Sequence, residues 1–172
     1  LKPNPEIYAR VPSLIPKEPT LDHFRVAFGQ QDLLSGIYNS FKIGVISSLV
    51  VLVLAVPAAY ALVRFKTVIN KSVMAWILVS QLFPSILIII PLFVVLRNLA
   101  LTNSHIGIIL VYTVWSLPFV LWMMRSYVQG IPEELEEAAF IDGCSRLQVL
   151  SKIVFPLLLP GIVASGLFAF VS

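Results

Sequence analysis

From Ile43 to Val63 the chain runs 21 residues without a charge, and this run constrains the fold more than any other feature. As a helix it extends about 32 Å, the thickness of the hydrocarbon layer of a bilayer. Backbone groups in hydrocarbon find no water to bond, so such a run is expected to close its hydrogen bonds within itself as a helix. Pro57 falls inside it. In a bundle, neighbouring Ser or Thr side chains satisfy the carbonyl that a proline frees, so a kink is expected rather than a break. Further apolar runs follow at Ser72 to Leu96, Ile106 to Met124 and Val154 to Ser172. The second holds Gln81, Pro84 and Pro91 and is long enough to tilt, with both prolines bending it on similar sides. The reading is an all-α, polytopic transmembrane bundle with spans at about 43–63, 72–96, 106–124 and 154–172.

Composition agrees. The chain of 172 residues is 58% hydrophobic and 12% charged, with a mean hydropathy of +0.92, far from the soluble average. The formal charge is only +3, and its twelve Lys and Arg are scattered, which excludes a nucleic-acid footprint. One cysteine, Cys144, allows no internal disulfide and suits a reducing compartment. The chain opens on Leu1 without a signal peptide and is expected to be a piece of a longer protein. Residues 1–36 are proline-rich, with Lys2, Arg10, Lys17 and Arg25 balanced by Glu6, Glu18, Asp22 and Asp32. They predict an extracytoplasmic segment, 1–42, with little core, ahead of a membrane domain, 43–172. His23 has no second ligand at metal spacing and reads as an ordinary surface residue.

Orientation follows from the positive-inside tendency. Arg64, Lys66, Lys71, Arg125, Arg146 and Lys152 lie on one side; Arg97, Lys42 and Arg25 lie on the other. Adding the distal Lys2, Arg10 and Lys17 would level the tally, so the bias is modest, and it puts the segment between the last two spans in the cytoplasm. A polar N-terminal segment outside then requires an upstream span.

That cytoplasmic segment, Gly130 to Pro160, carries the densest signals. Pro132 at a first helical position, followed by Glu133, Glu134, Glu136 and Glu137, predicts a helix start, because carboxylates suit the positive helix end. Gly143 suits a left-handed helix stop, and Ser145 with Gln148 has capping-box spacing. Two helices are therefore expected at a sharp turn, the first over about 132–143. Leu135, Ala138 and Ala139 are expected on one of its sides, where small side chains let another surface come close.

Here the residues match a family. Glu137-Ala138-Ala139, Gly143 after three intervening residues, then Ile153 and Pro156 resemble the EAA signature of the membrane-spanning subunits of binding-protein-dependent ABC importers. SLPFVLWMMRSYVQGIP upstream and IVFPLLLPG downstream look like the carbohydrate permeases of the MalG type. Phe155 departs from the usual leucine before the final proline. The resemblance implies a cytoplasmic coupling helix seated in a cleft of an ATPase subunit, with Glu137, Ala138, Ala139, Gly143, Ile153 and Pro156 as the coupling residues. It implies two ATPase subunits binding ATP and Mg, a second homologous permease, an extracytoplasmic solute-binding protein, surrounding membrane lipid, and the cytoplasmic membrane of a prokaryote. It also implies that the family's first and last helices are absent from these 172 residues. The cargo it implies is a sugar, a di- or oligosaccharide such as maltose or trehalose. Glu137 is expected to pair with a basic residue of that cleft, since Glu133 and Glu134 already serve the helix dipole.

No catalytic constellation is present. Gly161 and Gly166 have P-loop spacing, but Leu167 and Phe168 stand where a P-loop needs Lys and Ser or Thr. The chain is therefore read as a transport subunit and not an enzyme, its energy coming from a partner. Sugars are held by aromatic faces and hydrogen bonds, which makes Gln81 with Ser80, and Tyr112, Trp115, Ser116 and Trp122, the suitable pathway residues. Trp122 equally suits an interfacial belt and Trp115 a helix contact. An importer of glycerol phosphate or a polyol shares the same fold. A secondary transporter is disfavoured, because the three complete spans hold no Asp, Glu, Lys, Arg or His.

Overall fold

The computed structural model describes residues 19–29, 31–65 and 68–172. They form two compact units, Leu1–Lys42 and Ile43–Ser172. The helices in chain order are α1 (Asp22–Gly29), α2 (Gln31–Arg64), α3 (Val68–Ser80), α4 (Ser85–Asn98), α5 (His105–Gln129), α6 (Glu133–Ile141), α7 (Arg146–Val149) and, after a π-helical segment at Leu150–Val154, α8 (Phe155–Val171). No strand occurs among the described residues. Three stretches are long and apolar enough to cross a membrane: Leu33–Arg64, His105–Gln129 and Arg146–Val171.

The first unit is more helical than its prolines suggest. Asp22 opens α1 with its N–H bonded to Thr20 Oγ1 at 3.1 Å, and α2 starts at Gln31 rather than at the expected Ile43. Leu21, Phe24, Val26, Phe28, Leu34 and Ile37 are all exposed there. The residues before 19 and the side chain of His23 lie outside the described set.

In the second unit α2 continues through Pro57 without a break. Its Ser47 and Ser48 hydroxyls donate to the carbonyls of Ile43 and Gly44 at 2.8 and 2.7 Å, so each polar group is satisfied within its own helix. The run 72–96 is not one span. It is divided into α3 and α4 by a turn at Gln81–Pro84, where the N–H groups of Gln81 and Leu82 bond back only three residues, to Leu78 and Val79. Pro84 sits in extended backbone (φ −61°, ψ 128°) at the head of α4. Its ring drives Phe83 out of the helical region and its missing N–H would have broken the ladder. Pro91 stays inside α4, where only the ladder bond is lost. The two prolines therefore act differently: Pro84 breaks the run, and Pro91 is accommodated.

The core joins α2, α5 and α8. Val51, Ala55 and Ala59 on α2, and Val120, Met124 and Val128 on α5, recur every four residues and are buried with Leu158 of α8. Spacing by four places each set on one helix face, and alanines let the axes approach. Close approach is explicit where Gly161 of α8 meets the Tyr127 ring of α5, since a Cβ there would lie 2.5 Å from the ring. Ser165 of α8 donates to the Met124 sulfur at 3.4 Å.

Candidate functional site

The acidic helix α6 is built by local signals. Pro132 caps it in extended backbone (φ −58°, ψ 133°), one position earlier than the expected first helical residue. The helix ends in a Schellman turn: the Cys144 N–H bonds to the Ala139 carbonyl at 3.0 Å, the Gly143 N–H to Phe140 at 3.1 Å, and Gly143 takes φ +84°. Only glycine adopts that backbone at little cost. Ser145 and Gln148 complete a reciprocal capping box that starts α7. The helix is thus Glu133–Ile141, shorter than the expected 132–143, because Asp142 and Gly143 form the stop itself.

Its inner face is held by charge. Glu136 is 5% exposed and Ala139, one turn on, is buried beside it. One carboxylate oxygen of Glu136 accepts from Arg64 Nε at 2.6 Å and the other from the Tyr60 hydroxyl at 2.7 Å. Arg64 Nη2 also donates to the Ile131 carbonyl at 2.8 Å, in the link before α6, and Nη1 stands 3.7 Å from Glu133. The guanidinium of Arg146, at the start of α7, lies 5.2 Å from the Phe65 ring centre. The end of α2 thereby grips the turn on both sides of α6.

The outer face is open. Glu133, Glu134 and Glu137 line a cleft of about 670 Å³ with Arg64, Gln129, Gly130, Ile131 and Pro132. Glu137 and Ala138 are exposed, whereas Ala139 belongs to the chain's own core, so the two alanines do not share the side on which the sequence puts them. Leu135 is exposed. Ile153 is half-buried within the π segment and Pro156 is exposed at the start of α8. The π turn has a physical cause: Phe155 N–H bonds to Leu150, five residues back, and the wider turn gives the Pro156 ring room that an α-turn denies it.

The suggested pathway residues gather elsewhere, along α5. Ser80, Gln81 and Trp115 line a cavity of about 260 Å³ with Phe83, Ile88, Val114 and Pro118. A second of about 240 Å³ is lined by Tyr112, Trp115 and Ser172 among apolar neighbours. Ser116 is buried, its hydroxyl 3.2 Å from that of Ser172. Trp122 stands apart from both cavities, tilted against Phe119 with ring centres 6.1 Å apart. Among the described residues no three His, Cys, Asp or Glu side chains cluster as metal ligands would.

Residues 45–172 match the family model described as binding-protein-dependent transport system inner membrane component. The chain belongs to that family. It is a multi-pass membrane protein by its three long apolar helices and this membership. It is 46% identical over 158 residues to the putative ABC transporter permease protein ORF1 of Streptomyces antibioticus, covering 92% of this chain and 69% of the relative. It is 38% identical over its whole length to the sulfoquinovosyl glycerol transport system permease protein SmoH of Agrobacterium fabrum, spanning 60% of that protein. Its fold resembles the crystal structure of a bacterial ABC transporter involved in the import of the acidic polysaccharide alginate, with a TM-score of 0.78 at 25% identity, covering 99% of this chain and 60% of that one.

Sequence reasoning passed over Tyr60, Arg64 and Glu136 as a cluster. Arg64 was one basic residue among six in a topology tally, and Glu136 one carboxylate in a run. One signal was present: Glu136 and Ala139, three apart, share a helix face, and Glu137 does not.

Proposed function

We propose that this family member is a membrane-spanning permease subunit of an ATP-driven ABC importer of the cytoplasmic membrane, moving a di- or oligosaccharide by alternating access. The observation that carries this reading is α6: a capped acidic helix between two long apolar helices, one face fixed to its own chain and the other open. In this reading a separate ATPase subunit seats α6 in a cleft, and Glu137 pairs there with a basic side chain. ATP draws two such motors together, and the bundle, with a second permease subunit, rocks between inward-open and outward-open states while a solute-binding protein delivers cargo from outside. Nucleotide and cargo must each bind the two states unequally, or neither drives the other.

The sugar assignment draws on the chemistry around Trp115. An indole face beside Tyr112, with the Gln81 amide at a helix break, supplies the stacking surface and hydrogen bonds that a glycan needs. Glycosidic cargo in the names of the similar proteins supports the same class.

The test is uptake by the assembled importer. Glu137→Lys should leave the protein inserted but reduce transport by at least about tenfold, since like charge at a docked interface costs several kcal/mol. Undiminished uptake, or purification of the full-length protein without any ATPase, overturns the proposal. A panel of labelled disaccharides, polyols and glycerol phosphate decides the cargo class.

A further inference from the structure

We infer that Arg64 and Glu136 are positioning residues of the coupling step: they latch the end of α2 to α6, so that displacement of α6 is delivered to the first long helix as well as to α5 and α8. The inference rests on the importer reading above and concerns how force is shared inside the chain.

Covalently, α6 is joined only to its neighbours in sequence, through Gly130 on one side and Gly143 on the other. Both joins are turns built around glycine. Nothing in the backbone connects α6 with α2, 72 residues earlier, and these two are not among the helix pairs whose backbones run close together. The connection is made by side chains. Arg64 reaches Glu136 and the Ile131 carbonyl at once, so one guanidinium spans the helix and the link that leads into it. Tyr60, one turn before Arg64, takes the other carboxylate oxygen. Arg146 over Phe65 adds a contact beyond the glycine stop. A displacement of α6 relative to α2 would therefore have to part a planar fork from a carboxylate that is almost wholly excluded from solvent.

Stability alone is a poor account of this arrangement. A buried ion pair recovers little more than the cost of desolvating its charges, and an apolar pair of the same volume would hold the fold as well. What a forked, directional pair adds is a fixed relative geometry. The fork is also what separates Arg64 from a lysine, which would carry the charge without gripping two acceptors in one plane.

The experiment uses the complete importer, reconstituted in liposomes with its ATPase and binding protein, and reads sugar moved per ATP hydrolysed. Glu136→Gln keeps the shape and hydrogen bonding but not the charge; Arg64→Lys keeps the charge but not the fork. Each should lower sugar moved per ATP by about fivefold or more, while membrane yield and ATP turnover stay near those of the unaltered protein. A merely structural role predicts the opposite pattern, with yield, turnover and uptake falling together and an unchanged ratio; that result overturns the latch. A second measurement does not depend on either variant folding. With Cys144 replaced by serine, spin labels at Val53 of α2 and Ile141 of α6, both strongly exposed, should stay at the same separation to within about 2 Å between nucleotide-free and ATP-trapped states. A larger change overturns the latch. An unaltered complex that takes up no sugar with ATP takes down the importer reading and the latch together, whereas normal uptake with an unchanged ratio in both variants removes the latch alone.

Discussion

Two regions of the second unit are packed by different means. Around the α2 end, α5, α6 and α8, the chain supplies its own core, with Ala59, Met124, Val128, Val149 and Leu158 at 0% exposure, and it closes a buried ion pair over that core. Along α3 and α4 the side chains are as apolar but unpartnered within the chain: Trp76, Leu82 and Ile90 are 76%, 78% and 74% exposed. The contrast separates hydrophobicity from packing. In a bilayer, lipid tails solvate leucine as well as another leucine does, so apolar surface needs no cover, and close packing appears only where geometry has to be fixed. It is fixed at the turn that carries α6.

The comparison can be broken most directly at its charged end. Arg64→Ala leaves the Glu136 carboxylate buried without its partner and should destabilise the protein by about 3 kcal/mol, read by thermal unfolding in detergent; a shift within error would mean that the cluster is ornamental. The next test sets one helix position against another. Leu158→Ala opens a cavity in the packed region and should cost about 2 kcal/mol, mostly lost packing because the transfer part is small in lipid. Ile90→Ala on α4, measured the same way, should fall within about 0.5 kcal/mol of the parent. Equal losses would erase the distinction between the regions. The smallest effect is expected at the cap: Ser145→Ala removes one half of the α7 capping box and should cost about 1 kcal/mol, with added protease sensitivity confined to the turn after α6.

What the sequence made legible divides along the same line. The long apolar runs were readable because a bilayer imposes a length, and α5 matches its run from Ile106 with a few added residues at each end. The stop at Gly143 and the box at Ser145 were readable because caps are local chemistry within five residues. The break at Pro84 was not, since Pro84 and Pro91 look alike in a string; they differ by what surrounds them, a turn at Gln81 in one case and an unbroken helix in the other. Nor was the helix at Asp22–Gly29 visible beneath so many prolines. The Arg64–Glu136 pair escaped for a deeper reason. Two charges 72 residues apart have no period, and only the folded path of three helices brings them within 2.6 Å.

The π turn at Leu150–Val154 fixes a phase. One residue more than an α-turn holds is wound into it, so every position of α8 is rotated by about 100° from where an uninterrupted helix would point it. Leu158, Ser165 and Gly161 face α5 only because of that offset. A single-residue deletion anywhere in those five positions would swing the whole inward row of α8 a quarter turn toward the bilayer while leaving its composition almost unaltered, so length in this stretch is constrained more tightly than identity.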